Sequence, residues 1–206
     1  WEDMEVLGNL RPTIAPRATE HIAEMIQIIQ TLLDNGKSYE SDGSIYFRIS
    51  ACPEYGKLSK IKFEGNIVGG SERIDTDKYE KEDARDFALW KATKPDEPGW
   101  ETQIGRGRPG WHIECSAMAT KYLGTEFDIH GGGMDLQFPH HESEIAQSTI
   151  CNHKAPVRYW IHNNMITING KKMGKSYNNV IKITELMSGD HPLLEQAYHP
   201  MVIRFY

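Results

Sequence analysis

Cysteine is scarce: the 206 residues contain three, an odd and sparse count. A disulfide scaffold is excluded on that ground, and a reducing, cytoplasmic setting is expected. No run reaches the roughly 18 apolar residues of a spanning helix. The opening residues Trp1-Glu2-Asp3 are acidic where a secretory leader would be basic and then apolar. Neither feature suggests a membrane partner. Internal repeats and low-complexity tracts are also missing, so an array or a linker-like chain is excluded. What is present excludes disorder. Five Trp, six Phe and nine Tyr, within 39% hydrophobic content, supply one good-sized core, or one core and a small insert. The chain starts without Met and stops mid-pattern at Arg204-Phe205-Tyr206, which suggests a piece of a longer protein.

Acidic residues vanish from one window. The net charge is -6, against a uniformly basic nucleic-acid binder. Residues 1–144 carry 16 basic and 26 acidic side chains, whereas Ile145 to Thr184 holds no acid and six bases: Lys154, Arg158, Lys171, Lys172, Lys175 and Lys182. A polyanion would meet this window, unless it is only a solvated face with a chance excess of one sign.

Periodicity and punctuation place the elements. Ile22, Met25, Ile26, Ile29, Leu32 and Leu33 mark an amphipathic helix over 17–35, stopped by Gly36. Asp42-Gly43 between Tyr39 and Ile45 signals a two-residue hairpin. Asp75 to Asp86 is a dense mixed-charge run, read as solvated surface, and Asp86 to Trp90 reads as a strand. Gly105 to Gly110 reads as flexible. Cys115, Met118, Ala119 and Tyr122 then share a helical face that ends at Gly124. Glu126 to His130 reads as a strand, Gly131 to Asp135 as a loop, and Pro139 as the first turn of a helix reaching Cys151-Asn152. A second hairpin is expected around Asn169-Gly170. This order is α/β punctuation with a small β-rich insert over 37–100.

Three constellations carry chemistry. His140 and Glu144 are four apart, so a helix puts both on one face; Cys115 joins them from the preceding helix. Thiolate, imidazole and carboxylate together suit zinc. Spacing alone favours the plainer reading, a buried apolar Cys115 with His140 and Glu144 on the surface. The His-Glu-x-x-His order of a zinc protease is absent, and Cys52 and Cys151 read as packing residues. Lys171-Lys172-Met173-Gly174-Lys175-Ser176 is a cationic loop able to close on a triphosphate, though it lacks Walker A spacing. A plain basic surface loop fits the same composition. Gly131-Gly132-Gly133 at the end of a strand would let a nucleotide approach the backbone, as would suit the carboxyl edge of an open α/β sheet; a tight turn is the alternative.

Together these stretches resemble the cysteinyl-tRNA synthetases, class I aminoacyl-tRNA synthetases. The resemblance is carried by Gly107-Arg108-Pro109-Gly110-Trp111-His112-Ile113-Glu114-Cys115-Ser116-Ala117-Met118, by Phe127 to Gly133, and by Asp135-Leu136 and Phe138-Pro139-His140-His141-Glu142 through Gln147. The Lys172-to-Ser176 loop matches the KMSKS motif of class I, with Gly174 where the consensus has Ser. Pro16 to Ile22 and Pro200 to Phe205 match as well, so nearly the whole chain is covered.

The resemblance implies the second part of a class I synthetase Rossmann catalytic domain with a small β-rich connective insert. Residues 1–36 and 101–186 would belong to the catalytic domain, 37–100 to the insert, and 187–206 to the start of a helical stem-contact region. Cys115, His140 and Glu144 would be zinc ligands. The family's remaining cysteine ligand, its HIGH motif and its anticodon-binding end are not in this sequence, so the piece alone is expected to be inactive. Trp111 would cover the bound amino acid and Asp135 would line its pocket. His112, His130 and His141 would contact substrate or support the ligands. Lys172 and Lys175 would hold the phosphates of ATP, supplied with Mg2+, Lys175 foremost. The activity implied is ATP-dependent activation of cysteine and its transfer to tRNA(Cys), by an enzyme expected to be monomeric at full length. Two other functions fit the same residues: a ligase joining cysteine to an amino sugar in mycothiol synthesis, and a zinc-binding module without catalysis.

Overall fold

The computed structural model describes residues 1–61, 83 and 85–206. Most of the mixed-charge run of 75–86 lies outside the described residues. The chain divides into two compact units, Pro16–Asn164 and a second made of Trp1–Ala15 with Met165–Tyr206. Helix α1, Glu2–Val6, belongs to the second unit.

In the larger unit, helix α2 spans Ile22–Asp34 and buries Met25, Ile29 and Leu32 on one stripe. Its end is a Schellman motif: Gly36, at φ +64, donates to Leu33 O, and Lys37 N donates to Leu32 O. The helix starts five residues later than its periodicity suggests. Ala18–Glu20 is a 3-10 turn, and the His21 ring bonds Arg17 O at 2.7 Å, which holds that turn outside the helix.

Strands β1, Ser38–Ser41, and β2, Ser44–Phe47, form the expected hairpin, with both Asp42 and Gly43 at positive φ. Strand β3, Phe87–Ala92, and strand β4, Gly107–Pro109, complete an antiparallel sheet in the order β1-β2-β3-β4. Two of the glycines read as flexible, Gly107 and Gly110, therefore sit at a close approach. A Cβ on Gly107 would lie 2.3 Å from Trp90 Nε1, and one on Gly110 1.9 Å from Ala88 O.

Helix α3, Trp111–Leu123, buries His112, Ile113, Ser116 and Ala117, a face adjacent to the one expected from Cys115 and Met118. Strand β5, Phe127–Gly133, runs straight through the glycine triplet instead of ending before it, because it pairs in parallel with β6, Val157–Asn163. An irregular turn, Gln137–His141, leads into helix α4, Glu142–Asn152. Helices α2, α3 and α4 pack on one another. Their apolar faces share one core with Ile45, Phe47, Phe87, Leu89 and Trp90 of the sheet. The architecture is α/β.

In the smaller unit, β7, Thr167–Ile168, and β8, Lys171–Lys172, form the second hairpin, again with its turn residues Asn169 and Gly170 at positive φ. Helix α5, Ile183–Ser188, is opened by Glu185 accepting from Lys182 N and closed by Gly189 at φ +76. Helix α6, Pro200–Phe205, is capped by His199 and reaches back through Arg204 to Leu7 O and Gly8 O. Among the described residues no helix is long and apolar enough to cross a membrane.

Candidate functional site

The larger unit brings the expected metal ligands together. A Cys115 sulfur, a His140 ring nitrogen and a Glu144 carboxylate oxygen lie within 4.8 Å of one another. Helix α3 supplies Cys115, the turn before α4 supplies His140, and the first turn of α4 supplies Glu144. His140 and Glu144 are 4% and 3% exposed, which overturns the alternative of two surface residues. His140 Nε2 faces Glu144 Oε1 at 3.0 Å, yet that buried oxygen has no aligned hydrogen-bond donor. Burying a carboxylate oxygen without a donor is costly, and an ion beside it removes the cost. A second set, His130, His141 and Glu144, also lies within 4.8 Å and shares the same carboxylate.

Burial dominates the electrostatics inside the cluster. Burial pushes the Cys115 thiol up to about 12, and the nearby Glu144 and Glu114 carboxylates push the same way. Burial lowers His141 to about 3, helped by repulsion from His130, His162 and His140, so its ring is neutral near pH 7. His130 is also lowered by burial, against the pull of Glu144. A divalent ion would invert this logic for the thiol, because a coordinated thiol loses its proton outright.

A shell of rings surrounds the ligands. His112 Nδ1 meets His140 Nδ1 at 2.9 Å, and His141 Nδ1 meets His162 Nε2 at 2.8 Å. Trp111 is 53% exposed and its ring lies 4.4 Å from that of His140. The sequence reading missed His162 and Trp160, which stacks on His130 at 4.6 Å. Period-2 alternation along β6 would have found them, since Trp160 and His162 pair with His130 and Gly132 of β5.

Two glycines of the triplet make room for this shell. A Cβ on Gly132 would meet His141 Cε1 at 2.8 Å, and one on Gly133 would meet Asp135 Oδ1 at 2.4 Å. At Gly131 an added Cβ would find only Ile161 O, at 3.7 Å. Asp135 is half-buried there.

The lysine loop lies in the smaller unit. Lys171, Lys172 and Lys175 are exposed. Asn179, another residue the sequence reading passed over, staples the loop: its Oδ1 accepts from Gly174 N at 2.9 Å and its Nδ2 donates to Lys172 O at 3.1 Å. Gly174 is extended at φ -172, and a Cβ there would sit 3.6 Å from Tyr177, in ordinary contact. The consensus serine would therefore fit. The basic window is less basic than its composition suggests. Arg158 pairs with Glu126 and Asp128 at 2.9 and 3.2 Å, and Lys154 with Glu126 at 3.4 Å.

The chain belongs to the tRNA synthetases class I (C) catalytic domain family, whose model matches residues 1–206. It is 52% identical over 205 residues to the cysteine–tRNA ligase of Cytophaga hutchinsonii, covering 97% of this chain and 41% of that protein. It is 54% identical over 191 residues to the cysteine–tRNA ligase of Thermodesulfovibrio yellowstonii, covering 91% of this chain and 39% of that protein. The chloroplastic/mitochondrial cysteine–tRNA ligase of Arabidopsis thaliana is 50% identical over 204 residues, covering 99% of this chain and 34% of that protein. The chain thus spans about two-fifths, or less, of the length of these relatives.

Proposed function

We propose that this chain is the cysteine-selecting part of a cytoplasmic cysteine–tRNA ligase. The whole enzyme would join cysteine to ATP, releasing pyrophosphate and forming cysteinyl-adenylate. It would then transfer the cysteinyl group to tRNA(Cys). The observation that carries the reading is the juxtaposition of Cys115, His140 and Glu144 with an orphaned carboxylate oxygen. The whole-length similarity to several cysteine–tRNA ligases supports it over the amino-sugar ligase and the bare zinc module.

Cys115 Sγ, His140 Nε2 and Glu144 Oε1 would hold zinc. When bound, zinc would supply a Lewis acid that prefers thiolate sulfur to hydroxyl oxygen, a discrimination that a shape pocket makes poorly between groups one atom apart. Were Nε2 to hold the ion, His140 would carry its proton on Nδ1 and could donate it to His112 Nδ1, 2.9 Å away, which would fix both tautomers. His141 and His162 likewise share one proton, and a neutral His141 keeps positive charge out of the pocket. Trp111, exposed over His140, would cover the amino acid, and Asp135 would line its pocket. Gly131, Gly132 and Gly133 would border the nucleotide, with Gly131 leaving the most room. Lys172 and Lys175 would neutralise the Mg2+-bound triphosphate as pyrophosphate leaves.

Equilibrium dialysis tests the reading. The chain should take up zinc, more weakly than a full ligand set would, and Cys115→Ala should take up far less. Equal uptake by both would remove Cys115 from the site.

A further inference from the structure

Glu142 is a charged side chain that neither the ligand set nor the substrate pocket uses. It is 1% exposed, and among the described residues no Lys or Arg pairs with it. Its carboxylate is met instead by three backbone amides of one turn: Gly56 N at 2.8 Å, Leu58 N at 3.4 Å and Ser59 N at 2.8 Å. Converging N–H dipoles can stabilise a buried anion in place of a cation. The same turn grips the neighbourhood twice more. Gln137 Nε2 donates to Leu58 O at 3.1 Å, and the Tyr55 and Ser143 hydroxyls share a hydrogen bond at 2.9 Å.

These contacts bracket the residues before α4. Gln137 lies before them, Glu142 and Ser143 after them, and the Tyr55 ring stands edge-on to Phe138 between. That segment needs lateral support. Phe138 is extended at φ -136 and ψ 134, so no continuous helical ladder runs into His140 and His141. His140 and Glu144 are each two residues from Glu142.

We infer that Glu142 is a positioning residue: clamped by the 55–59 turn, it sets where His140 and Glu144 stand as metal ligands. The inference rests on the zinc reading above. It makes a turn outside the ligand-bearing elements a determinant of metal affinity and of ligand geometry.

Cobalt(II) is the probe, titrated into the 206-residue chain and followed by its d–d and thiolate charge-transfer absorption. Glu142→Gln puts an amide donor against the turn's N–H groups. Ser59→Pro removes one of those donors from the other side, on a turn that carries no ligand. Each should weaken cobalt affinity about tenfold or more and shift the absorption bands, as loss of an outer partner does. Leu32→Ala, destabilising but in the core stripe of α2, should leave both unchanged. In the unaltered chain, adding metal should slow amide exchange at Gly56 and Ser59 together with the first turn of α4. Wild-type affinity and bands in Glu142→Gln and Ser59→Pro, an equal shift in Leu32→Ala, or metal-insensitive exchange at Gly56 and Ser59 would each overturn the inference. A wild-type chain without a thiolate band would instead sink the zinc reading, and this inference with it.

Discussion

The buried cluster of the larger unit and the lysine loop of the smaller one are built on opposite principles. Around Cys115, His140 and Glu144, the His140 and Glu144 side chains are buried and Cys115 half-buried, with His112 meeting His140 and His162 meeting the neighbouring His141. In the loop, Lys172 and Lys175 are exposed, and one side chain, Asn179, ties the loop to itself. Under the proposed function, the cluster would tell sulfur from oxygen, which calls for ligands fixed before the amino acid arrives. The lysine loop would, under the same proposal, neutralise phosphate as charge develops, which calls for reach and exposure instead. Substitutions in the cluster should therefore cost metal and stability, and those in the loop should cost rate alone.

The largest effect is expected at the ligands. Cys115→Ser and Glu144→Gln should each lower zinc affinity by more than about a hundredfold, beyond the 10–100-fold typical of an outer partner; competition with a chromophoric chelator would measure it. Next comes Lys175→Ala in a ligase that carries this chain. ATP–pyrophosphate exchange should slow roughly a hundredfold, with cysteine affinity unchanged and stability within about 0.5 kcal/mol. Unchanged exchange would remove Lys175 from the chemistry.

Glycine substitutions sharpen the contrast. Gly132→Ala must displace the His141 ring and should destabilise the chain by about 1–3 kcal/mol in urea unfolding. Gly174→Ser meets only ordinary contact and should change nothing measurable. Equal effects at the two positions would erase the distinction between a packed site and an open loop.

The smallest effect concerns pH. Burial raises the Cys151 thiol from 9.0 to about 11. The folded state thus keeps its proton where the unfolded state releases it, so this contribution to stability is complete below about pH 9 and lost as pH rises toward 11. Cys151→Ala should flatten the alkaline limb of a stability–pH curve. An unaltered limb would show that the thiol is not desolvated.

Local signals carried much of this into the sequence. The body of the helix, though not its expected start at 17, and both hairpins follow from periodicity and turn chemistry, which act within a few residues; His140 and Glu144 meet as their spacing suggested, but across the junction of the turn and α4. What escaped depends on distant partners. Gly107 and the triplet look like loop residues until β3 and β6 lie beside them, because glycine signals flexibility and close approach with the same letter. Lys154 and Arg158 look unpaired until the strand start brings Glu126 and Asp128 across. The anchoring of Glu142 by residues more than eighty positions earlier leaves no local trace at all.

Direct bonding of the substrate's sulfur to a metal held by Cys115, His140 and Glu144 is best tested by zinc X-ray absorption on the loaded chain, before and after adding cysteine or serine. Cysteine should add one sulfur neighbour at about 2.3 Å, and serine should add none. An unchanged sulfur count with cysteine bound would contradict the account.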